Sequence, residues 1–291
     1  MLQAERSQSN RLLGYPDDAR LLIINADDFG RSHACNAGIL RSLQEGMVTS
    51  TTLMTPCPWS PHAMQILADH PEIAFGIHLT IVSDLPLYRW GPVTSKDKAP
   101  SLVDEAGYFY SFDRIPEMLA RAQLAEVEAE FRAQIEVALA KALKPTHLDW
   151  HCLYNGGRAD IFDLTVRLAR EYGLAMRVFD GATGEPLRRA GLPTPEHDVV
   201  DTYRLGAEGK AAWLANALRA LPVGLSEWAA HPALGTPEVQ AYDPVGWRAH
   251  PADLEFLVSP EAREIIAQEG IVLLSYQPLQ KAWQARGAGS V

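Results

Sequence analysis

LLIINADDFG, residues 21–30, is the stretch on which the reading of this chain turns. Its apolar, β-branched first half predicts a buried strand, and Asp27 and Asp28 then fall at that strand's C-terminal end, before Phe29-Gly30 and a helix. In α/β barrels this edge is where active sites are assembled, because the loops after the strands converge there. Two carboxylates at such a rim can divide labour, one binding a metal and its neighbour taking a proton from water. A lone Asp would more simply cap the helix that follows; an adjacent pair ending an apolar strand favours chemistry.

Seven further apolar or β-branched runs follow, at residues 49–55, 74–80, 146–152, 175–180, 198–203, 224–231 and 271–276, with helical periodicity between them. Alternating strands and helices indicate βα units around a parallel sheet, and eight strands is the barrel number. The expectation is therefore an α/β fold, a TIM-like (β/α) barrel, irregular in places. Ile39, Leu40, Leu43 and Met47 predict a crossover helix stopping near Gly46. A long apolar stripe, Leu124, Val127, Phe131, Ile135, Ala138 and Leu139, predicts one helix over 116–143, and Ser259-Pro260 predicts the start of another ending near Gly270. Residues 81–115 lack periodicity and hold Tyr88, Trp90, Tyr108, Phe109, Tyr110 and Phe112, so they read as an insertion after the third strand, either a lid offering aromatic faces to a sugar or a loop packing them inward. Residues 1–18 read as a flexible arm and 19–291 as one catalytic domain.

His78 lies late in the third run. In the fourth, THLDWHC at 146–152, strand alternation sets His147, Asp149 and His151 on one face and Leu148, Trp150 and Cys152 on the other. His147 and His151 would stand ~13 Å apart along a strand, so only one binds a given ion, and His151, nearer the C-terminal rim, is the choice. His147 and Asp149 become supporting groups. Asp28, His78 and His151 then supply one carboxylate and two imidazoles to a divalent metal, zinc or magnesium foremost, with manganese, cobalt or iron also open. Asp27 is the natural general base. His231, closing the seventh run, is placed to donate a proton, with Glu227 on the same face to hold its charged form. His33, His62, His70, His197 and His250 receive no role.

The formal net charge of −10, from 36 acidic and 26 basic residues, argues against nucleic acid or anionic membrane as partner. The first twenty residues hold no apolar signal core, and no run is long enough to span a bilayer. Cys35, Cys57 and Cys152 are odd in number and lack C-x-x-C spacing, which fits a reducing, cytoplasmic setting.

The motifs NADDFG (25–30), GMVTSTTLM (46–54), GIHLT (76–80), PTHLDWH (145–151) and His231-Pro232 together resemble the YdjC-like carbohydrate deacetylase family, which includes chitooligosaccharide deacetylases. The resemblance implies a barrel-like α/β enzyme, often a homodimer, that uses a divalent metal to remove acetyl from a small N-acetylated sugar. It makes Asp28, His78 and His151 the metal ligands, Asp27 the base and His231 the acid. The chain departs from the family pattern where further histidines are usual: it reads Cys152-Leu153-Tyr154-Asn155, and Trp150 replaces a small residue. Trp150, Tyr88 and Trp90 are the expected substrate contacts. Two other readings share the triad: a non-haem Fe(II) oxygenase and a sugar-binding protein without turnover.

Overall fold

The structure, a computed structural model, describes residues 7–287. All eight expected runs hold strands: β1 (Arg20–Phe29), β2 (Ser50–Leu53), β3 (Phe75–Leu79), β4 (His147–Trp150), β5 (Ala175–Met176), β6 (Val200–Asp201), β7 (Gly224–Ala230) and β8 (Val272–Leu273). Every pairing is parallel, in the order β5-β4-β3-β2-β1-β7-β6, with β8 on β1. This is the TIM-like α/β barrel anticipated, in open form: between β5 and β6 the seam is spanned by one backbone bond, Val199 N–H to Phe179 O at 2.8 Å. β1 is buried from Leu21 to Phe29, as a strand must be when helices cover one face and the barrel interior the other.

β8 does not stand between β7 and β1. β7 runs along one whole edge of β1, from Arg20 to Ala26, while β8 and β2 share the other, β8 at Leu21-Leu22 and β2 from Asn25 onward. Tyr276, just past β8, donates its N–H to Ser50 Oγ at 3.1 Å. Two strands on one edge leave the C-terminal half of β1 to β2 alone, and that half carries the acids.

The crossover helix spans His33–Glu45 and stops at Gly46; the later one spans Pro260–Gln268, capped by Ser259 accepting from Ala262 N–H. The single helix expected over 116–143 is two, Ile115–Arg121 and Leu124–Leu139. No Gly or Pro marks the break at Ala122. Arg158 instead takes up its freed carbonyls, donating to Leu119 O and Ala122 O at 2.6 and 2.9 Å.

The expected arm is ordered from Ser7 on, residues 1–6 lying outside the described ones. Helix Gln8–Leu13 is docked through Glu196, which accepts from the Ser7 hydroxyl and from Gln8 N–H, and Asn10 is buried against Pro16 O and Ala19 O. The largely polar sequence of this helix hid its anchorage, in which these hydrogen bonds add to the packing of Leu13 against the core.

The 81–115 insertion packs most of its aromatics inward. Trp90, Phe109 and Tyr110 are buried, Trp90 Nε1 donates to Val82 O, and Val93 and Thr94 N–H bond the buried Glu130. Tyr108 and Phe112 stay exposed.

Candidate active site

Strict alternation would point Asp27 and Asp28 to opposite faces of β1. Asp27 points inward with Asn25, whose Nδ2 donates to Asp27 Oδ1 at 2.7 Å. Asp28 follows it because it sits in the left-handed region, φ 72°, where the register with β2 shifts between Ala26 and Phe29. A bulge of this kind re-aims one side chain, and Asp is among the few residues besides Gly that tolerate the conformation.

Asp28, His78 and His151 meet. Asp28 Oδ1 lies 3.6 Å from His78 Nε2 and 3.3 Å from His151 Nδ1, all three residues being buried. Neither contact is aligned as a hydrogen bond, so Asp28 Oδ1 is a buried carboxylate oxygen without a partner. The outer nitrogens of both rings are held by carboxylates: His78 Nδ1 by Asp149 Oδ1 at 2.7 Å, His151 Nε2 by Asp84 Oδ1 at 3.0 Å. The first contact follows from register, since His78 and Asp149 are direct partners across β3 and β4. Carboxylates on the far nitrogens turn the near lone pairs toward one point, the arrangement found around histidine metal ligands. The donor set therefore fits a divalent cation. We expect Asp149→Asn, which weakens the hold on His78, to lower metal affinity by ~10–100-fold in calorimetric titration.

The surrounding charges keep both carboxylates beside His151 ionised. Burial opposes ionisation of Asp28, yet the charge of Arg31, whose Nη1 is 2.6 Å from Asp28 Oδ2, and of His151 hold its pKa well below the usual range. Asp84 is half-buried, and there too desolvation opposes ionisation, but Arg31 Nη2 at 3.1 Å and His151 bring its pKa down to about 2. Burial also disfavours a charged His151, but Cys152, Asp84 and Asp28 outweigh it and push its pKa well up.

Asp27 is gripped by Arg177, Nη1 to Oδ2 at 2.7 Å and Nη2 to Oδ1 at 2.8 Å. Burial resists its ionisation, but this bidentate pairing overcomes it and holds its pKa far below the carboxylate range. The same guanidinium, fully buried, meets Glu227 Oε1 at 2.7 Å and Asp149 Oδ2 at 2.8 Å. It thus links the base candidate to the group that orients His78. Glu227 does not serve His231: its other oxygen accepts from Tyr276 OH at 2.6 Å. Burial is the larger influence on Glu227 and, against the attraction of Arg177, raises its pKa to about 7. A carboxylic acid that binds its proton more tightly when folded adds stability below its ordinary pKa of 4.5 and loses it as pH rises through about 7. Glu227→Gln should therefore gain melting temperature relative to the unsubstituted chain across that window, as thermal scans at stepped pH would read.

His231 stands just past β7 with its Nδ1 buried and free of any hydrogen bond, 3.8 Å from Asp201 Oδ1. Its charge bears on both Asp27 and Asp28. Its backbone is clamped twice: its N–H bonds Asp253 Oδ2 at 3.0 Å and its carbonyl accepts from His250 Nδ1 at 2.8 Å. His250, given no role from the sequence, thus helps to fix the His231 backbone. His147 lies apart from the Asp28, His78 and His151 cluster, stacked on Tyr276 with centroids 3.6 Å apart and bonded to Thr146 Oγ1.

Two of the expected substrate contacts need correction. Trp150 faces outward, buried, its Nε1 on Thr165 Oγ1 at 3.2 Å and its ring near Phe162, because β4 alternation sends it to the helix side. Trp90 is buried behind His151, centroids 5.9 Å apart. Tyr88 is half-buried, its OH on Arg31 O and its ring stacked on Tyr242 at 5.3 Å. Sequence reading missed Arg31, Asp84 and Arg177. Arg177 carried a signal, a charge inside the apolar run Ala175 to Phe179; Asp84 carried none.

A family model described as YdjC-like protein matches residues 21–268. The chain belongs to the YdjC-like family. This YdjC-like chain is 33% identical over 263 residues to a carbohydrate deacetylase of Geobacillus stearothermophilus, covering 90% of this chain and 99% of that protein. It is 32% identical over 275 residues to a carbohydrate deacetylase of Enterococcus faecalis, with 89% and 97% covered. Among solved structures it resembles a protein of Enterococcus faecalis described as a candidate for cellobiose-phosphate cleavage, with a TM-score of 0.77, 29% identity, and coverage of 90% of this chain and 99% of that one. No helix among the described residues is long and apolar enough to cross a membrane.

Proposed function

We propose that this protein hydrolyses the acetyl amide of a small N-acetylated sugar, using a divalent ion held by Asp28, His78 and His151. The observation that carries the reading is Asp28 Oδ1, a buried, unpartnered carboxylate oxygen facing two imidazole nitrogens whose outer nitrogens are already committed to carboxylates. An ion bound there would polarise the acetyl carbonyl and acidify the attacking water. The two imidazoles favour zinc, manganese, cobalt or iron over magnesium.

Asp27, kept ionised by Arg177, takes the proton of the attacking water. Arg177 also limits how basic Asp27 is, so Asp27 would suit as base a water acidified by such an ion better than bulk water. His231 offers its unpartnered Nδ1 to the departing sugar nitrogen, on a backbone fixed by Asp253 and His250. Asp149 and Asp84 hold the two histidine rings in one tautomer. Tyr88 is the remaining substrate contact we assign from the 81–115 loop. The names of the relatives weigh against the iron-oxygenase alternative, and Asp27 beside the triad suits hydrolysis better than oxygen activation.

We read residues 19–291 as one catalytic unit, working in the cytoplasm, where the free thiols of Cys35, Cys57 and Cys152 would persist, and pairing into a homodimer. The decisive experiment loads the protein with zinc, manganese, cobalt or magnesium and measures acetate from N-acetylated mono- and oligosaccharides. Release that needs the metal supports the reading. Sugar binding without acetate would point to the non-catalytic alternative, and neither would overturn both.

A further inference from the structure

The stretch where the chain leaves the family pattern, Cys152-Leu153-Tyr154-Asn155, has no part in the chemistry above. Alternation puts Cys152 on the far face of β4 from His151, but β4 ends at Trp150, and Cys152 turns back with φ 59°. Its Sγ comes to 3.3 Å from His151 Nε2, the nitrogen that also lies 3.0 Å from Asp84 Oδ1. Donor atoms of Asp84, His151 and Cys152 all lie within 4.8 Å of one another.

We propose that these three residues form a second cation site, selective for thiophilic divalent ions such as Zn2+, Cd2+ or Co2+, that shares His151 with the first. The imidazole turns Nδ1 toward Asp28 and His78 and Nε2 toward Asp84 and Cys152. A tetrahedral zinc ion with bonds of ~2.3 Å to sulfur and ~2.0–2.1 Å to nitrogen and oxygen needs ligand atoms ~3.3–3.6 Å apart. The two spacings from Nε2 are short of that by about 0.3 Å and the sulfur-to-carboxylate one is within 4.8 Å, adjustments within the reach of two side chains on loop segments. Arg31 binds Asp84 through its other oxygen, Oδ2, which leaves Oδ1 for the ion. Asp84 and Cys152 are only partly buried, so the ion can enter from solvent and keep water as its fourth ligand.

The thiolate sets the selectivity: a sulfur ligand recruits zinc, cadmium or cobalt and rejects magnesium. On binding, the thiol proton and any proton on Nε2 pass to buffer, and the ion takes their place. Asp84 then no longer holds His151 by a hydrogen bond. Excess thiophilic metal should therefore slow whatever reaction the first site supports.

The test titrates the full-length protein and its Cys152→Ser variant with Co2+, following thiolate-to-cobalt charge-transfer absorption and counting bound cobalt by equilibrium dialysis. The unsubstituted protein should show the band and bind one more equivalent than Cys152→Ser, which should lack the band. Asp84→Asn should keep the thiol but bind cobalt at this site at least ~10-fold more weakly, as loss of one ligand requires. Absence of the band in the unsubstituted protein, its persistence in Cys152→Ser, or equal stoichiometry in both would overturn the proposal. Cys35 and Cys57 are buried, so a band arising from them would survive in Cys152→Ser and be recognised. The absorption reads the site directly. A failure to release acetate from any sugar therefore counts against the proposed function and leaves this result standing.

Discussion

Asp28→Asn is expected to give a folded protein that no longer retains a divalent ion and releases no measurable acetate. The loss should exceed the ~10–100-fold that removing an outer carboxylate costs, because the negative charge of a proposed ligand itself goes. Asn is the informative substitution at this position. Asp28 sits at φ 72°, where Asn is at home and Ala would be strained, so the backbone bulge should survive while the charge disappears. Arg31 keeps Asp84 as partner, which limits the cost of leaving a guanidinium buried. Metal content after dialysis and a thermal melt, read together, separate loss of the site from loss of the fold. A variant that melts normally and still holds a full equivalent of zinc would remove Asp28 from the ligand set and with it the centre of the mechanism.

Much of this architecture could be read from the chain because it is local. The eight strand runs declare themselves by composition, and the acids of NADDFG and the histidines of GIHLT and THLDWH announce their edge by where each run ends. What stayed hidden is non-local or breaks a period. Nothing in the residues 20–29 says that the chain bulges at Asp28, and without that bulge the two acids would face apart. The position of β8 beside β2 depends on the pairing of Leu21 with Val272 and of Leu22 with Leu273, far apart in sequence. The break at Ala122 has no helix-breaking residue to mark it; Arg158, far along the chain, accepts the task of satisfying its carbonyls. Asp84 comes from an aperiodic insertion, where no pattern distinguishes one acid from another. Arg177 was legible in principle, since a guanidinium inside an apolar run demands buried partners, and the three carboxylates that meet it are those partners.

Arg177 also shapes the second large effect, that of Asp27→Asn. The variant should hold metal with near-native affinity and lose ~10²–10⁴-fold in kcat, the usual worth of a general base. Metal retention is expected because no atom of Asp27 belongs to the Asp28, His78 and His151 cluster. The loss should fall on kcat rather than KM, since proton removal belongs to the transition state and not to sugar binding. The amide can still accept from one Arg177 nitrogen, and Glu227 and Asp149 remain on the guanidinium, so the core should stay assembled. If Asp27 served instead only to seat Arg177, its replacement would lower stability and metal affinity together, through the loosened Asp149 and His78, with kcat per bound metal nearly unchanged. Stopped-time acetate assays on metal-saturated protein, set beside calorimetric metal titration, tell the two apart: a rate that stays native once the metal is restored would strip Asp27 of the role of base and make it a partner of Arg177 alone.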